Sequence, residues 1–264
     1  MYRPNLFINP SDHMGFDVLI DKQWDQFLTA SIRSVSSLGG DDLFIDIGAN
    51  IGLISVQVED VFGKIIALEP NPIAFGVLQA NTITNIASKK LSLRNYGLGA
   101  RSENAKLDIP LNNLGGAFVQ LGENLLTEKE LTKKEGGELH ITKSLEIRVE
   151  SASAFFESVN AENRYDSPRV VIKIDVEGME EPIIDALLHS KIWASRRVIC
   201  FIETWSEKVK SELLTQLNDR VLFQPKNQNA WVSKQNSYAV GESTEFCIWN
   251  SAHDDIRKTL TLLK

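Results

Sequence analysis

Apolar and polar positions alternate along this chain in two rhythms, and their order predicts an architecture. Segments rich in apolar and β-branched residues occupy 43–47, 64–69, 91–97, 170–174 and 197–203, lengths suited to strands buried in a sheet. Between them, near 52–61, 72–85, 179–190 and 206–218, apolar residues return every three or four positions, the period of an amphipathic helix. Two late runs, "RVLFQ" and "TEFCIWN", read as further strands. Such alternation builds an α/β fold, a mostly parallel sheet with right-handed crossovers and helices on both faces. Its ligands gather at the carboxyl ends of the central strands, where the strand order reverses.

Two segments interrupt the alternation. Residues 1–40 read as an N-terminal cap packed on the core domain, 41–264. In the cap, "NLFIN" and "FDVLI" are expected as short strands before a helix from about Lys22 to Ser36, with Trp24, Phe27, Leu28, Ile32 and Val35 on one face. The second is an insertion at about 100–168, where "AKLDIP", "GGAFVQL" and "SLEIRVES" suggest extra β structure around a charged surface loop, "TEKELTKKEGGELH".

Composition narrows the function classes. At 264 residues with 43% hydrophobic content the chain can bury one full core. A formal charge of −7 argues against a nucleic-acid surface, which needs a concentrated basic face. Cys200 and Cys247 each lie in an apolar run and read as buried free thiols in a reducing compartment. The first residues lack a signal-peptide pattern and no run is long enough to span a bilayer, so a cytoplasmic protein without stable membrane insertion is expected.

The chemistry begins at "FIDIGANIG", Phe44 to Gly52. Asp46 stands at the end of a strand, Gly48 follows two residues on, and Gly52 opens the next helix. Such a turn can bring bare backbone and a helix N-terminus close to a carboxylate or phosphate, while Asp46 favours an ammonium group or a bound water. Glu69, 23 residues later in "IIALEPNP", ends the next strand, where an acid can accept both hydroxyls of a ribose. An amino acid and a nucleoside on neighbouring strand tips describe S-adenosylmethionine. The rival is an NAD-linked oxidoreductase, but the turn lacks the G-x-G-x-x-G spacing that a pyrophosphate requires. Asn50 and Asn71 complete the candidate cofactor contacts, with the backbone near Gly97 as the candidate for the adenine.

Four blocks, "FIDIGANIG", "ALEPNP" with "LQANTITN", "VVIKIDVEGMEEPIIDAL" and "VICFIETW", resemble the FkbM family of methyltransferases from about Asp41 to Trp205. The resemblance implies a Rossmann-like class I methyltransferase fold with a seven-stranded sheet. It also implies S-adenosylmethionine as cofactor and, usually, methylation of a hydroxyl on a saccharide, glycan or secondary metabolite. The chain departs from that pattern at Val149 and Glu150, where relatives usually read Leu-Asp.

"KIDVEG" supplies the candidate catalytic residues, Lys173, Asp175 and Glu177, at the tip of a central strand. Methyl transfer to an alcohol needs a positioned oxygen and a group that takes its proton, work for a carboxylate. Asp175 also suits contact with the cofactor. Asn113, Glu203 and Trp205 are the candidates for the acceptor, which is expected to be a small molecule or glycan. Magnesium held by Asp175, Glu177 and Glu203 is a competing mechanism, but no metal-specific spacing is present and no bound metal is expected. A catalytically silent cofactor-binding or assembly protein is the remaining alternative, and the oligomeric state is left open.

Overall fold

The computed structural model describes residues 4–9, 13–21, 24–36, 42–110, 117–120, 141–162, 167, 169–217, 220–225, 228–233, 243–250 and 256–261. In chain order the strands are β1 (Leu43–Ile47), β2 (Lys64–Leu68), β3 (Leu91–Arg94), β4 (Gly97–Gly99), β5 (Glu103–Pro110), β6 (Phe118–Gln120), β7 (Ile141–Ser151), β8 (Arg169–Asp175), β9 (Arg197–Glu203), β10 (Val221–Gln224) and β11 (Glu245–Trp249). The helices are α1 (His13–Asp21), α2 (Gln26–Val35), α3 (Leu53–Gln57), α4 (Pro72–Asn85), α5 (Ala152–Ala161), α6 (Glu180–Leu188), α7 (Lys191–Ser195), α8 (Glu207–Gln216) and α9 (Ile256–Thr261).

Seven strands form the main sheet in the order β10-β11-β9-β8-β1-β2-β3. The pairs β1·β2, β2·β3, β1·β8 and β8·β9 are parallel, and β11 runs against both of its neighbours. The chain moves outward from β1 through β2 to β3, then returns to β8 on the other side. The order therefore reverses between β1 and β8, and the crevice there is the place for a ligand.

Alternate residues of the central strands feed two cores, as expected of a sheet buried on both faces. Phe44, Val171, Ile199 and Trp249 pack with Leu28 and Ile32 of α2. Ile45, Ile172, Cys200 and Ile202 pack with Phe156 of α5, Ile183 of α6 and Leu213 of α8. Each such side chain, fully removed from water, contributes about 1.5–3 kcal/mol. Cys200 and Cys247 are free and buried, and burial pushes both thiols up.

The insertion carries a second sheet of four strands in the order β4-β7-β5-β6. The strand expected over 91–97 is broken in two. Asn95 Nδ2 donates to Glu69 O at 2.8 Å and to Pro70 O at 3.3 Å, capping the end of β2 with a side chain where the ladder would have continued. Gly97 to Gly99 then join β7 in the small sheet. The charged run "TEKELTKKEGGELH" lies outside the described residues.

The cap departs from expectation in its secondary structure. "FDVLI" is helical, within α1, because its burial repeats every three residues: Gly15 and Val18 are buried while Phe16, Leu19 and Ile20 face outward. Gly15 presses so closely on Asn9 that a Cβ there would lie 1.9 Å from the Asn9 carbonyl oxygen. "NLFIN" is not a strand either, because amide side chains of α4 take its backbone. Phe7 N donates to Asn81 Oδ1 (2.6 Å) and Asn81 Nδ2 donates back to Phe7 O (3.1 Å); Asn85 makes the same pair with Asn5 at 3.1 and 2.8 Å. Four helical residues rise about 6 Å, close to the span of two extended residues, so the two amides meet alternate peptide groups.

Candidate active site

Asp46, at the tip of β1, is fully buried. Its Oδ2 accepts from Ser55 Oγ of α3 at 2.7 Å, and its Oδ1 lies 3.2 Å from Lys173 Nζ. The ammonium group expected opposite Asp46 is thus supplied by the protein. Lys173 sits beside Asp46 in the β1·β8 register and reaches up the strand. Its Nζ also donates to Gly48 O at 3.0 Å and lies 3.2 Å from Asp175 Oδ2. Three contacts match the three donors of an ammonium. Burial opposes its charge, but Asp175 and Asp46 outweigh burial and raise its pKa above the usual lysine range. Lys173 is thus a buried strut between two strand tips, and it also lines the cleft beyond them.

Between β1 and α3 the backbone turns through left-handed conformations at Gly48 (φ 78°), Asn50 (φ 49°) and Gly52 (φ 84°). Gly48 is required by protein packing: a Cβ there would fall 1.8 Å from the carbonyl oxygen of Asp175. The N–H groups of Gly48 and Ala49 both donate to Leu68 O, at 3.0 and 2.8 Å, which clamps the turn to the end of β2.

Glu69 follows β2 directly and is 7% exposed. Oε2 accepts the backbone N–H of Asn50 at 2.9 Å and Oε1 that of Asn71 at 2.8 Å. Burial raises its pKa to about 7 against the pull of those two hydrogen bonds. Asn71 caps α4 by accepting from Ile73 N at 3.0 Å, while its buried Nδ2 has no hydrogen-bond partner among the described residues. Gly97 lies beside this corner, its α-carbon facing Pro70.

Two register rows beyond Lys173, Asp175 of β8 stands opposite Glu203 of β9, and Glu203 opposite Glu245 of β11. These tips border a cleft, open to solvent, whose other wall is Trp24, Asp25 and Leu28 at the start of α2. Phe201 and Ile54 also line it. Asp25 caps α2, accepting from Leu28 N at 2.9 Å. Burial first, then Glu203, Asp25 and Asp175, push the Glu245 carboxyl well above the usual carboxylate range.

The structure therefore gathers Asp46, Gly48, Asn50, Gly52, Glu69, Asn71, Lys173 and Asp175 around the β1–β8 crevice and sets Glu203 on the adjoining cleft. Glu177 is buried in the turn after β8, away from the cleft lining. Trp205 also does not line the cleft; its Nε1 donates to Glu203 Oε1 at 3.3 Å. Asn113 lies outside the described residues. Among the described residues no group of three or more His, Cys, Asp or Glu side chains is placed to hold a metal ion. Trp24, Asp25 and Glu245 were missed from sequence. An aspartate just ahead of the apolar period of α2 is a legible cap signal, whereas Glu245 reaches the site only because β11 runs antiparallel and begins where its neighbours end.

Comparison with known proteins places this geometry in context. The Methyltransferase FkbM domain matches residues 46–260. Methyltransferase sdnD of Sordaria araneosa is 22% identical over 223 residues, 80% of this chain and 85% of that protein. Among solved structures, precorrin-6Y C5,15-methyltransferase from Geobacter metallireducens aligns over 87% of this chain and 93% of its own at 17% identity and a TM-score of 0.42. SMU.1697c from Streptococcus mutans, solved with S-adenosylhomocysteine, aligns over 86% of this chain and 99% of its own at 12% identity and a TM-score of 0.45. No helix among the described residues is long and apolar enough to cross a membrane.

Proposed function

Because this chain belongs to the FkbM methyltransferase family, we propose that its methyl donor is S-adenosylmethionine and its acceptor a hydroxyl oxygen on a saccharide, glycan or secondary metabolite. The observation that carries this proposal is the corner where Glu69 binds the turn after β1. An acid at the tip of β2 is there tied through Asn50 to the left-handed turn that follows β1.

The residues present fit the donor. A carboxylate has about four acceptor directions, and Glu69 gives one oxygen to each of two backbone N–H groups, which leaves capacity for two ribose hydroxyls. The buried Nδ2 of Asn71 offers a donor beside it. Gly48, Asn50 and Gly52 would contribute backbone at the amino-acid end, with Gly97 bordering the nucleoside end. Asp46, occupied by Ser55 and Lys173, would act by fixing the turn. Bound in this crevice, S-adenosylmethionine supplies an activated methyl group on a sulfonium.

Asp175 has its side chain 36% exposed and borders both crevice and cleft, so it is the proposed acceptor of the hydroxyl proton. Lys173 holds it in place. Glu177, buried in the same turn, is assigned to shaping the turn, and Glu203 to orienting the acceptor with Trp205 behind it. Thermal-shift titration tests the cofactor: S-adenosylhomocysteine is expected to raise the melting temperature while NADH leaves it unchanged. Stabilisation by NADH alone would favour the oxidoreductase, and cofactor binding without transfer to any acceptor would favour a silent module.

A further inference from the structure

Side-chain amides fasten the cap to the core in a repeated pattern. Gln57 of α3 accepts from Trp24 N at 3.2 Å and donates to Trp24 O at 2.9 Å, just as Asn81 and Asn85 of α4 bind the backbone of Phe7 and Asn5 in both directions. Asn81 also reaches the crevice. It is fully buried, and its Nδ2 donates to Ile51 O at 2.7 Å. Ile51 lies between Asn50, whose N–H binds Glu69, and Gly52 in its left-handed conformation. One amide thus spans from the strap formed by residues 4–9 to the turn after β1. Apolar contacts follow the same path. Val18 of α1 is buried with Ile51, Leu53 and Ala74, in a cluster that Leu6 and Ile8 of the strap join at its edge, and Gly15 of α1 rests against Asn9 at the strap's end. The buried residues of this cluster belong to neither core of the sheet. A unit held by a few amides and a small apolar patch opens at a lower free energy than the sheet it covers.

Resting on the assignment of the crevice to S-adenosylmethionine, we propose that Asn81 is a positioning residue for the methyl donor, one that makes docking of the cap and ordering of the turn that receives the donor a single linked equilibrium. With the cap docked, Asn81 is held by Phe7 and in turn holds the Ile51 carbonyl, which keeps Asn50 N–H on Glu69. By reciprocity, a ligand that needs the ordered turn also favours the docked cap. The strap and α1 lie ahead of residues 46–260, the span matched by the family, so this control over the crevice is supplied by the chain's own cap.

Phe7→Pro tests the link from outside the crevice. The Phe7 side chain is 57% exposed, and proline removes the N–H that donates to Asn81 while leaving the Asn81 side chain in place. By calorimetry the variant is expected to bind S-adenosylhomocysteine at least about fivefold more weakly than wild type. In hydrogen exchange, S-adenosylhomocysteine should slow the amides of residues 4–9 in wild type by a similar factor, a response that local opening unconnected with the crevice lacks. That slowing should vanish in Asn81→Leu. Without ligand, the Asn50 amide should exchange faster in Phe7→Pro than in wild type. Should Asn81→Leu fail to fold, Phe7→Pro carries the comparison alone. Equal affinity in folded Phe7→Pro, or strap exchange in wild type indifferent to bound S-adenosylhomocysteine, would overturn the proposal. Failure of wild type to bind S-adenosylhomocysteine would instead count against the donor assignment, and the Asn50 amide then decides: exchange unchanged by Phe7→Pro would overturn the link between strap and turn as well.

Discussion

Lys173 Nζ lies 3.2 Å from Asp175 Oδ2, and through this contact the buried β1 tip is coupled to a carboxylate that reaches solvent. The same ammonium is 3.2 Å from Asp46, so one cation neutralises two acids on adjacent strands. Removing one member of a buried ion pair leaves the others uncompensated, at a cost of about 3–5 kcal/mol. Lys173→Met is therefore expected to lower unfolding stability by about that amount in urea at neutral pH, and Asp46→Asn added to it should recover part of the loss. A Lys173→Met protein as stable as wild type would show that the strut bears no load.

Gly48 and Gly76 make opposite expectations for the same substitution. At Gly48 the backbone is left-handed and a Cβ would collide with the Asp175 carbonyl at 1.8 Å, so Gly48→Ala should cost more than about 2 kcal/mol and deform the crevice. At Gly76, exposed on α4, a Cβ would meet nothing within 4 Å. Gly76→Ala should stabilise by up to about 1 kcal/mol through helix propensity. Thermal and urea denaturation of the two variants side by side checks both signs.

Glu69 gives the site a pH dependence whose sign can be stated. Its folded carboxyl titrates at about 7, against an ordinary value of 4.5. Between those values the folded protein binds more protons than the unfolded chain, so this carboxyl's contribution to stability is fully present below about pH 4.5 and is lost as pH rises through 7. The change is on the order of 3 kcal/mol. Affinity for S-adenosylhomocysteine should run the other way, rising from pH 6 to about pH 8 as the carboxylate forms and accepts the ribose hydroxyls. Binding isotherms across that range, compared with Glu69→Gln, in which the rise should vanish, test it.

How much of this was readable beforehand differs between the two halves of the site. "FIDIGANIG", Glu69 and "KIDVEG" were legible because each acid or glycine stands where an apolar run ends, and a parallel sheet brings such ends together whatever the register. What was not legible depended on partners. The burial of Asp46 against Lys173 needs the β1·β8 register, and Glu245 needs the reversed direction of β11. "NLFIN" and "FDVLI" misled because short apolar runs have no period of their own. The decisive features, two asparagines one helical turn apart on α4 and the contact of Gly15 with Asn9, lie elsewhere in the chain.

Asp175→Asn separates binding from chemistry. The amide keeps the shape of the carboxylate and removes its basicity. If Asp175 takes the acceptor proton, turnover should fall about a hundredfold or more, with affinity for S-adenosylhomocysteine changed only a few-fold. Transfer of a labelled methyl group into a small-molecule extract measures the first quantity and calorimetry the second. Glu177→Gln, buried off the cleft, should alter stability more than turnover. Wild-type transfer by Asp175→Asn would move the proton acceptor to another carboxylate on the cleft.

Calorimetric titration of S-adenosylhomocysteine into wild type and Glu69→Ala bears most directly on the assignment of the crevice to the methyl donor. Wild type should bind saturably. Glu69→Ala, shown to be folded by its circular dichroism and cooperative melting, should bind more than tenfold more weakly, a loss of about 1.5–3 kcal/mol for charge-assisted hydrogen bonds to the ribose. Equal affinity in the folded variant would remove Glu69 from the site, and absence of binding by wild type would contradict the cofactor assignment altogether.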